Sequence, residues 1–188
     1  MQLRQQALDI VVLKPGSGGT DLVWVEGTPQ QQNTLTWTDN LLVYTSNTPV
    51  QVGAVITPTS ETPAQTGEVY SAQSSGLLTN AGRGAPGQIQ VTNDDSNTNV
   101  RGSMMITTGL AQAYTFNGQN TANPFCAESV MFNAQASFRP DNTVRLVIAS
   151  NVLPGAVPQQ MFGPALTVSM GSQTSKDIAY QNGTFVET

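Results

Sequence analysis

The residue types able to do chemistry are few: the 188-residue chain contains no histidine and a single cysteine, Cys126. Histidine is the commonest general base and the commonest metal ligand, so composition excludes Ser-His and Cys-His hydrolases and His-ligated zinc sites. Cys126, beside Phe125, has no base of the usual kind to activate it and reads as a small buried apolar residue. Disulfide stapling is closed to a chain with one cysteine.

Oxygen donors gather in Asn93-Asp94-Asp95-Ser96-Asn97-Thr98-Asn99, the donor type that calcium takes. The EF-hand spacing, with its central glycine and twelfth-position glutamate, is missing, so the segment reads as a polar hairpin loop. Gly16-Ser17-Gly18-Gly19-Thr20 is glycine-rich but lacks the Gly-Lys-Ser/Thr ending and the following helix of a phosphate-binding loop, and reads as a turn. The acids Asp9, Asp21, Glu26, Asp39, Glu61, Glu68 and Glu128 show no spacing that suggests a glycosidase pair. Trp24, Trp37, Tyr44, Tyr70, Tyr114 and Tyr180, set among Asn and Gln amides, would suit a neutral glycan, yet Trp24 and Trp37 fall in apolar strand patterns and read as core. No metal or cofactor is expected.

Seven Lys plus Arg against 12 Asp plus Glu give a net charge of −5, and Arg83, Arg101, Arg139 and Arg145 are scattered along the chain. Binding to a duplex or a genome needs clustered cations that neutralise phosphates, so direct nucleic-acid contact is not expected. Only 10% of residues are charged, against about 25% in typical soluble domains. Polarity comes instead from Ser, Thr, Asn and Gln, 69 residues together, while lysine occurs only at Lys14 and Lys176. Amides and hydroxyls can be buried against a neighbour without the desolvation cost of ions, which suits assembly; a secreted protein can carry the same bias. Met1 to Gln6 shows neither the basic start nor the apolar stretch of an export signal, so none is visible, although one could have been removed. No apolar run approaches the ~20 residues of a membrane helix.

The elements that must position these residues read as strands. Apolar-polar alternation recurs between Gly, Pro, Asn and Thr clusters, the signature of an all-β domain. The clearest alternation is Val130 to Phe138. A turn at Arg139-Pro140-Asp141-Asn142 and a strand from Thr143 to Ser150 follow it, and the reading is a hairpin with Val130, Phe132, Phe138, Val144, Leu146 and Ile148 in one core. Further strands are expected over Leu8 to Leu13, Asp21 to Glu26, Thr34 to Thr38, Leu41 to Thr45, Val50 to Ile56, Gln88 to Thr92, Ser103 to Thr108 and Ala113 to Phe116. The last ones run through Leu166, Val168 and Met170, and over Asp177 to Gln181 and Thr184 to Glu187. Asn182-Gly183 between the final two is the dipeptide of a type I′ hairpin, in which both central residues take positive φ. Helix is limited to single turns near Gly109 to Gln112 or Pro124 to Ser129.

The expected fold is one domain over 1–188, an antiparallel two-sheet sandwich of jelly-roll type with long Pro/Gly-rich loops and little helix. Pro58 to Gly87 reads as a long loop insertion, with short edge pieces at Glu68-Val69-Tyr70 and Gly76-Leu77-Leu78. Residues 153–165, carrying Pro154, Pro158 and Pro164, read as an extended arm. A structureless loop that long needs a function or a partner. The subunit-interface candidates are therefore Leu77, Leu78, Arg83, Val157, Met161 and Phe162. The functional expectation is a non-enzymatic structural protein of a large assembly, a virus or bacteriophage particle in a capsid, decoration or tail role, put together in the host cytoplasm from copies of itself and other structural proteins. The alternative is a secreted or extracellular carbohydrate-binding or membrane-active β-sandwich, a lectin or cytolysin.

Overall fold

The computed structural model describes residues 8–15, 17–73, 76–94 and 104–188, and these contain strands and no helix. The chain begins with β1 (Asp9–Leu13), β2 (Thr20–Asp21), β3 (Val25–Gly27), β4 (Leu35–Ser46) and β5 (Ser60–Ala64). It continues through β6 (Glu68–Ala72), β7 (Leu78–Arg83), β8 (Ile89–Asn93), β9 (Met105–Phe116) and β10 (Gln119–Met131). It ends with β11 (Gln135–Phe138), β12 (Thr143–Ala149), β13 (Phe162–Ser169), β14 (Ile178–Gln181) and β15 (Thr184–Glu187). Three sheets have the orders β13-β12-β1-β3, β2-β10-β9-β4-β5 and β11-β8-β6-β7, and β14-β15 is a separate hairpin. Among the described residues all strand pairings are antiparallel except β6 with β8.

The centre is the pair β9–β10, turned by Asn117 (φ 48°) and Gly118 (φ 83°), the positive-φ pair that a two-residue hairpin requires. Gly109 in β9 permits a close approach: a Cβ there would meet the Cys126 carbonyl oxygen at 1.9 Å and the Tyr44 hydroxyl at 2.6 Å. Its absence leaves room for Tyr44 Oη to donate to that carbonyl at 2.8 Å. The five-stranded sheet presents Val43, Leu110, Tyr114, Phe125 and Val130 to one cluster, joined by Val12 and Trp24 from the β1 side and by Tyr70, Ile89, Val91 and Phe138 from the β8 sheet. This sandwich-like core thus draws on all three large sheets.

The expected Val130–Ser150 hairpin is not formed. Asn133 (φ 62°) breaks the run, Ala134 N–H closes a turn onto the Met131 carbonyl at 2.9 Å, and the chain passes from β10 in one sheet to β11 in another. β11 pairs with β8, and β12 pairs with β1 and β13. Val130, Ala136, Phe138 and Val144 still share one core, because the corner delivers both halves of the alternation to the same interior. Phe132 sits half-buried at the bend, and Ile148 packs in a different cluster with Phe185. The supposed helical turns at 109–112 and 124–129 lie inside β9 and β10.

Pro58 to Gly87 is likewise not a loop but carries β5, β6 and β7, anchored by Ala64, Tyr70, Ala72 and Leu78. Of the short edge pieces expected here, Glu68-Val69-Tyr70 opens β6, which lies inside its sheet, and Leu78 begins edge strand β7, whereas β5 is short and half polar and its alternation was too weak to mark it. Pro63 is tolerated because β5 lies at a sheet edge. Val50–Ile56 is a turn with one isolated bridge, Val55 to Ala156, in place of the expected strand.

Candidate functional site

One lysine behaves as sparse surface charge should: Lys176 pairs with Glu187 at 2.8 Å. Lys14 does the opposite. It follows directly on β1, and only 1% of it is exposed. Its Nζ donates to Oε1 of Gln112 at 2.8 Å, and Gln112, in mid-β9, is equally buried. The amine lies 4.9 Å from the ring centroid of Trp24, 5.5 Å from that of Trp37 and 5.6 Å from that of Phe125. Aromatic faces attract a cation, and more strongly when water is excluded.

The amide is held as firmly as the amine. Gln112 Nε2 donates to the Thr38 carbonyl at 2.5 Å, and Trp24 Nε1 donates to the Gln112 main-chain carbonyl at 3.1 Å. Thr38 is available because β4 shifts register between Trp37, opposite Tyr114, and Leu41, opposite Gln112. The polar Thr38-Asp39-Asn40 therefore bulges from the ladder and frees a carbonyl. Trp24 packs edge-to-face on Trp37 (5.6 Å, 84°) and on Tyr114 (5.2 Å, 74°). Asn123 Nδ2 then donates to both Tyr114 Oη (2.6 Å) and the Trp24 carbonyl (3.0 Å). Burial pushes the Lys14 amine down to about 8, against the opposing pull of Asp141 and Asp39. A held amine beside a held carboxamide in a desolvated, aromatic-walled pocket is the most chemically unusual arrangement among the described residues.

Sequence reasoning passed over Lys14 and Gln112. The one available signal was that Lys14 ends the apolar run from Ile10 and is one of only two lysines. Cys126 is buried as expected, and burial pushes its thiol up to about 12. Of the acids, Asp9 and Glu26 come onto neighbouring strands; burial, and then the charge of Asp9, raise the Glu26 carboxyl above its ordinary range. Glu26 borders an open groove of about 420 Å³ shared with Gln30, Tyr114, Phe116, Asn117 and Gln119. The turn residues Asp95 to Asn99, together with Gly16 and Arg101, lie outside the described residues.

The interface candidates divide. Leu78 is in the main core, and Val157 packs with Leu22, Tyr44 and Ile56, so neither is offered to a neighbour. Only the Leu153 end and the Met161 end of the expected arm stand out, because Ala156 and Val157 between them turn inward. Phe162 is half-buried against the Ile148–Phe185 cluster, and Arg83 is exposed at the end of edge strand β7. Leu77 (54%) and Met161 (42%) are exposed. An apolar group that sequence reasoning missed lies at the open end of the β9–β10 hairpin: Met131 (55%) is the register partner of Met105 (38%), and Met104 (44%) accepts through its carbonyl from Phe132 N–H.

Comparison of the chain with protein-family models, with curated proteins and with solved structures finds no match. Among the described residues no helix is long and apolar enough to cross a membrane.

Proposed function

We propose that the chain is a non-enzymatic structural protein that packs against copies of itself or other subunits of a large assembly, a virus or bacteriophage particle put together in the host cytoplasm, and that its sandwich is of jelly-roll type. The observation that carries this reading is the methionine group of Met104, Met105 and Met131, set in a chain whose polarity comes mainly from amides and hydroxyls. Unbranched, polarizable side chains grouped on a surface suit contact with a partner. Leu77 and Met161 would add to such contacts, with Gln and Thr hydrogen bonds at the rim and little electrostatic contribution. The test is sedimentation velocity and electron microscopy over a concentration series. Association that persists in high salt supports the reading, and a chain monomeric at every concentration overturns it.

The alternative, carbohydrate binding by a secreted protein, draws on the groove bordered by Glu26, Phe116 and Gln119, where an aromatic ring meets amides and a carboxyl. Saturable glycan binding by the dilute monomer, lost in Phe116→Ala, would put this reading first.

A further inference from the structure

An ammonium withdrawn from water is stable only when paired and hydrogen-bonded. Lys14 has as its hydrogen-bonding partner a neutral carboxamide, and the two carboxylates whose charge reaches it, Asp141 and Asp39, belong to surface-facing segments. We propose that Lys14 and Gln112 are joined by an intramolecular amide bond, made by attack of the lysine amine on the glutamine carboxamide. The inference is independent of the assembly reading.

The geometry places the reactants. Nζ is in hydrogen-bond contact with the oxygen of the carboxamide it would attack, and both side chains are buried and fixed. Holding two reactants together converts an encounter into an internal step. The amine form is accessible, because burial has already lowered the proton affinity of Lys14 and about a tenth of the population is unprotonated near neutral pH. Trp24, Trp37 and Phe125 keep out the water that would compete as nucleophile.

The step balances without a further reactant. The Nζ lone pair forms a bond to Cδ of Gln112, the Cδ–Nε2 bond breaks, and Nε2 departs as ammonia with the proton that Nζ gives up. No electron is gained or lost. The leaving nitrogen is the one oriented by the Thr38 carbonyl, and the charge of Asp39, next in the chain, reaches the attacking amine.

The product would replace a buried charge with a neutral amide and tie β1 to β9 across 98 residues of sequence. Closing so long a loop restricts the unfolded chain, as a disulfide would, in a protein whose one cysteine cannot provide one. Unlike a disulfide, the joint resists reductant.

Mass spectrometry of the purified full-length chain decides the matter. The expected result is an intact mass lower than the sequence mass by one ammonia, with a proteolytic fragment in which the Lys14 peptide is bonded to the Gln112 peptide, absent from Lys14→Met. Cyclisation of Gln2 after loss of Met1, or a succinimide at Asn117-Gly118 or Asn182-Gly183, releases the same ammonia, so the fragment carries the assignment. An intact mass equal to the sequence mass, a loss localised to one of those other positions, or Lys14 labelled by an amine reagent once the chain is denatured would each overturn the proposal. The wild-type spectrum suffices even if Lys14→Met does not fold.

Discussion

The seam between β1 and β9 and the open end of the β9–β10 hairpin invert each other. At the seam a cation and an amide lie where apolar residues belong; at the hairpin end Met104, Met105 and Met131 lie where polar residues belong. The seam resolves its mismatch inside the chain, through the Gln112 amide, the Thr38 carbonyl and three aromatic rings. The hairpin end has no such internal answer for Met131. A misplaced polar group must find a partner before folding is complete, because leaving it unpaired costs more than the bond contributes, whereas exposed methionine costs little until a neighbour covers it. Mutations at the seam should therefore read out in stability, and mutations at the hairpin end in association.

The largest effect is expected at Trp24. Trp24→Ala removes a fully buried ring, two aromatic contacts and a wall of the Lys14 pocket, and should cost about 3–5 kcal/mol in denaturant unfolding. A loss below 1 kcal/mol would mean that the seam is not a structural centre. Next is the corner that leads to the methionines, where buried Asn93 donates through Nδ2 to the carbonyls of Val130 (2.8 Å) and Met104 (3.1 Å). Asn93→Ala should cost about 2 kcal/mol, because the Val130 carbonyl loses a buried donor, while the Met104 carbonyl keeps Phe132 N–H. It should also shift the amide resonances of residues 104–105 and 130–134, which a uniform loss of stability would not do.

Alkaline pH sharpens the comparison further. Lys14 has a folded-state value of about 8 against 10.5 in the unfolded chain, so between those values the unfolded state binds more protons and stability rises with pH. In an unjoined chain Lys14 should contribute a gain of about 1.5 kcal/mol between pH 8 and about pH 9.5, read as the difference from Lys14→Met at each pH, because the buried Cys126 thiol, pushed up to about 12, lowers stability over the same window in both chains; a joined fraction lacks the gain. The window stops there because the Tyr44, Tyr70 and Tyr114 phenols, all raised by burial, make stability fall once unfolded tyrosines ionise near pH 10. The smallest effect on folding belongs to Met131→Asp, which should change stability by no more than about 0.5 kcal/mol while weakening self-association in sedimentation. A stability loss comparable to that of Trp24→Ala would erase the distinction between the two regions.

The legible parts of the fold were those in which local chemistry and tertiary role coincide. Thr184 to Glu187 and its Asn182-Gly183 turn form as expected because positive φ at both turn positions (51° and 85°) is a local demand. β1 and β8 were placed to within a residue at each end by the alternation of Ile10 to Leu13 and of Ile89 and Val91. Val130 to Phe138 shows the limit of that signal. A period of two says which side chains face a core and says nothing about which strand lies alongside, and the single left-handed residue Asn133 sufficed to send the chain into another sheet. Leu78 and Val157 were misjudged for the related reason that a polar, proline-bearing context hid strands and turns that bury their own apolar residues.

The sequence by itself determined that the fold is built of strands, that charge is scarce, and that histidine and disulfide chemistry are closed to it, since these follow from composition and short-range geometry. Only the tertiary structure decided that one of two lysines is sealed against a glutamine 98 residues away, and that three methionines meet at one end of a hairpin. Both depend on strand register, and the first also on a bulge in β4. Register is the sum of many weak long-range contacts, and no window of neighbouring residues contains them.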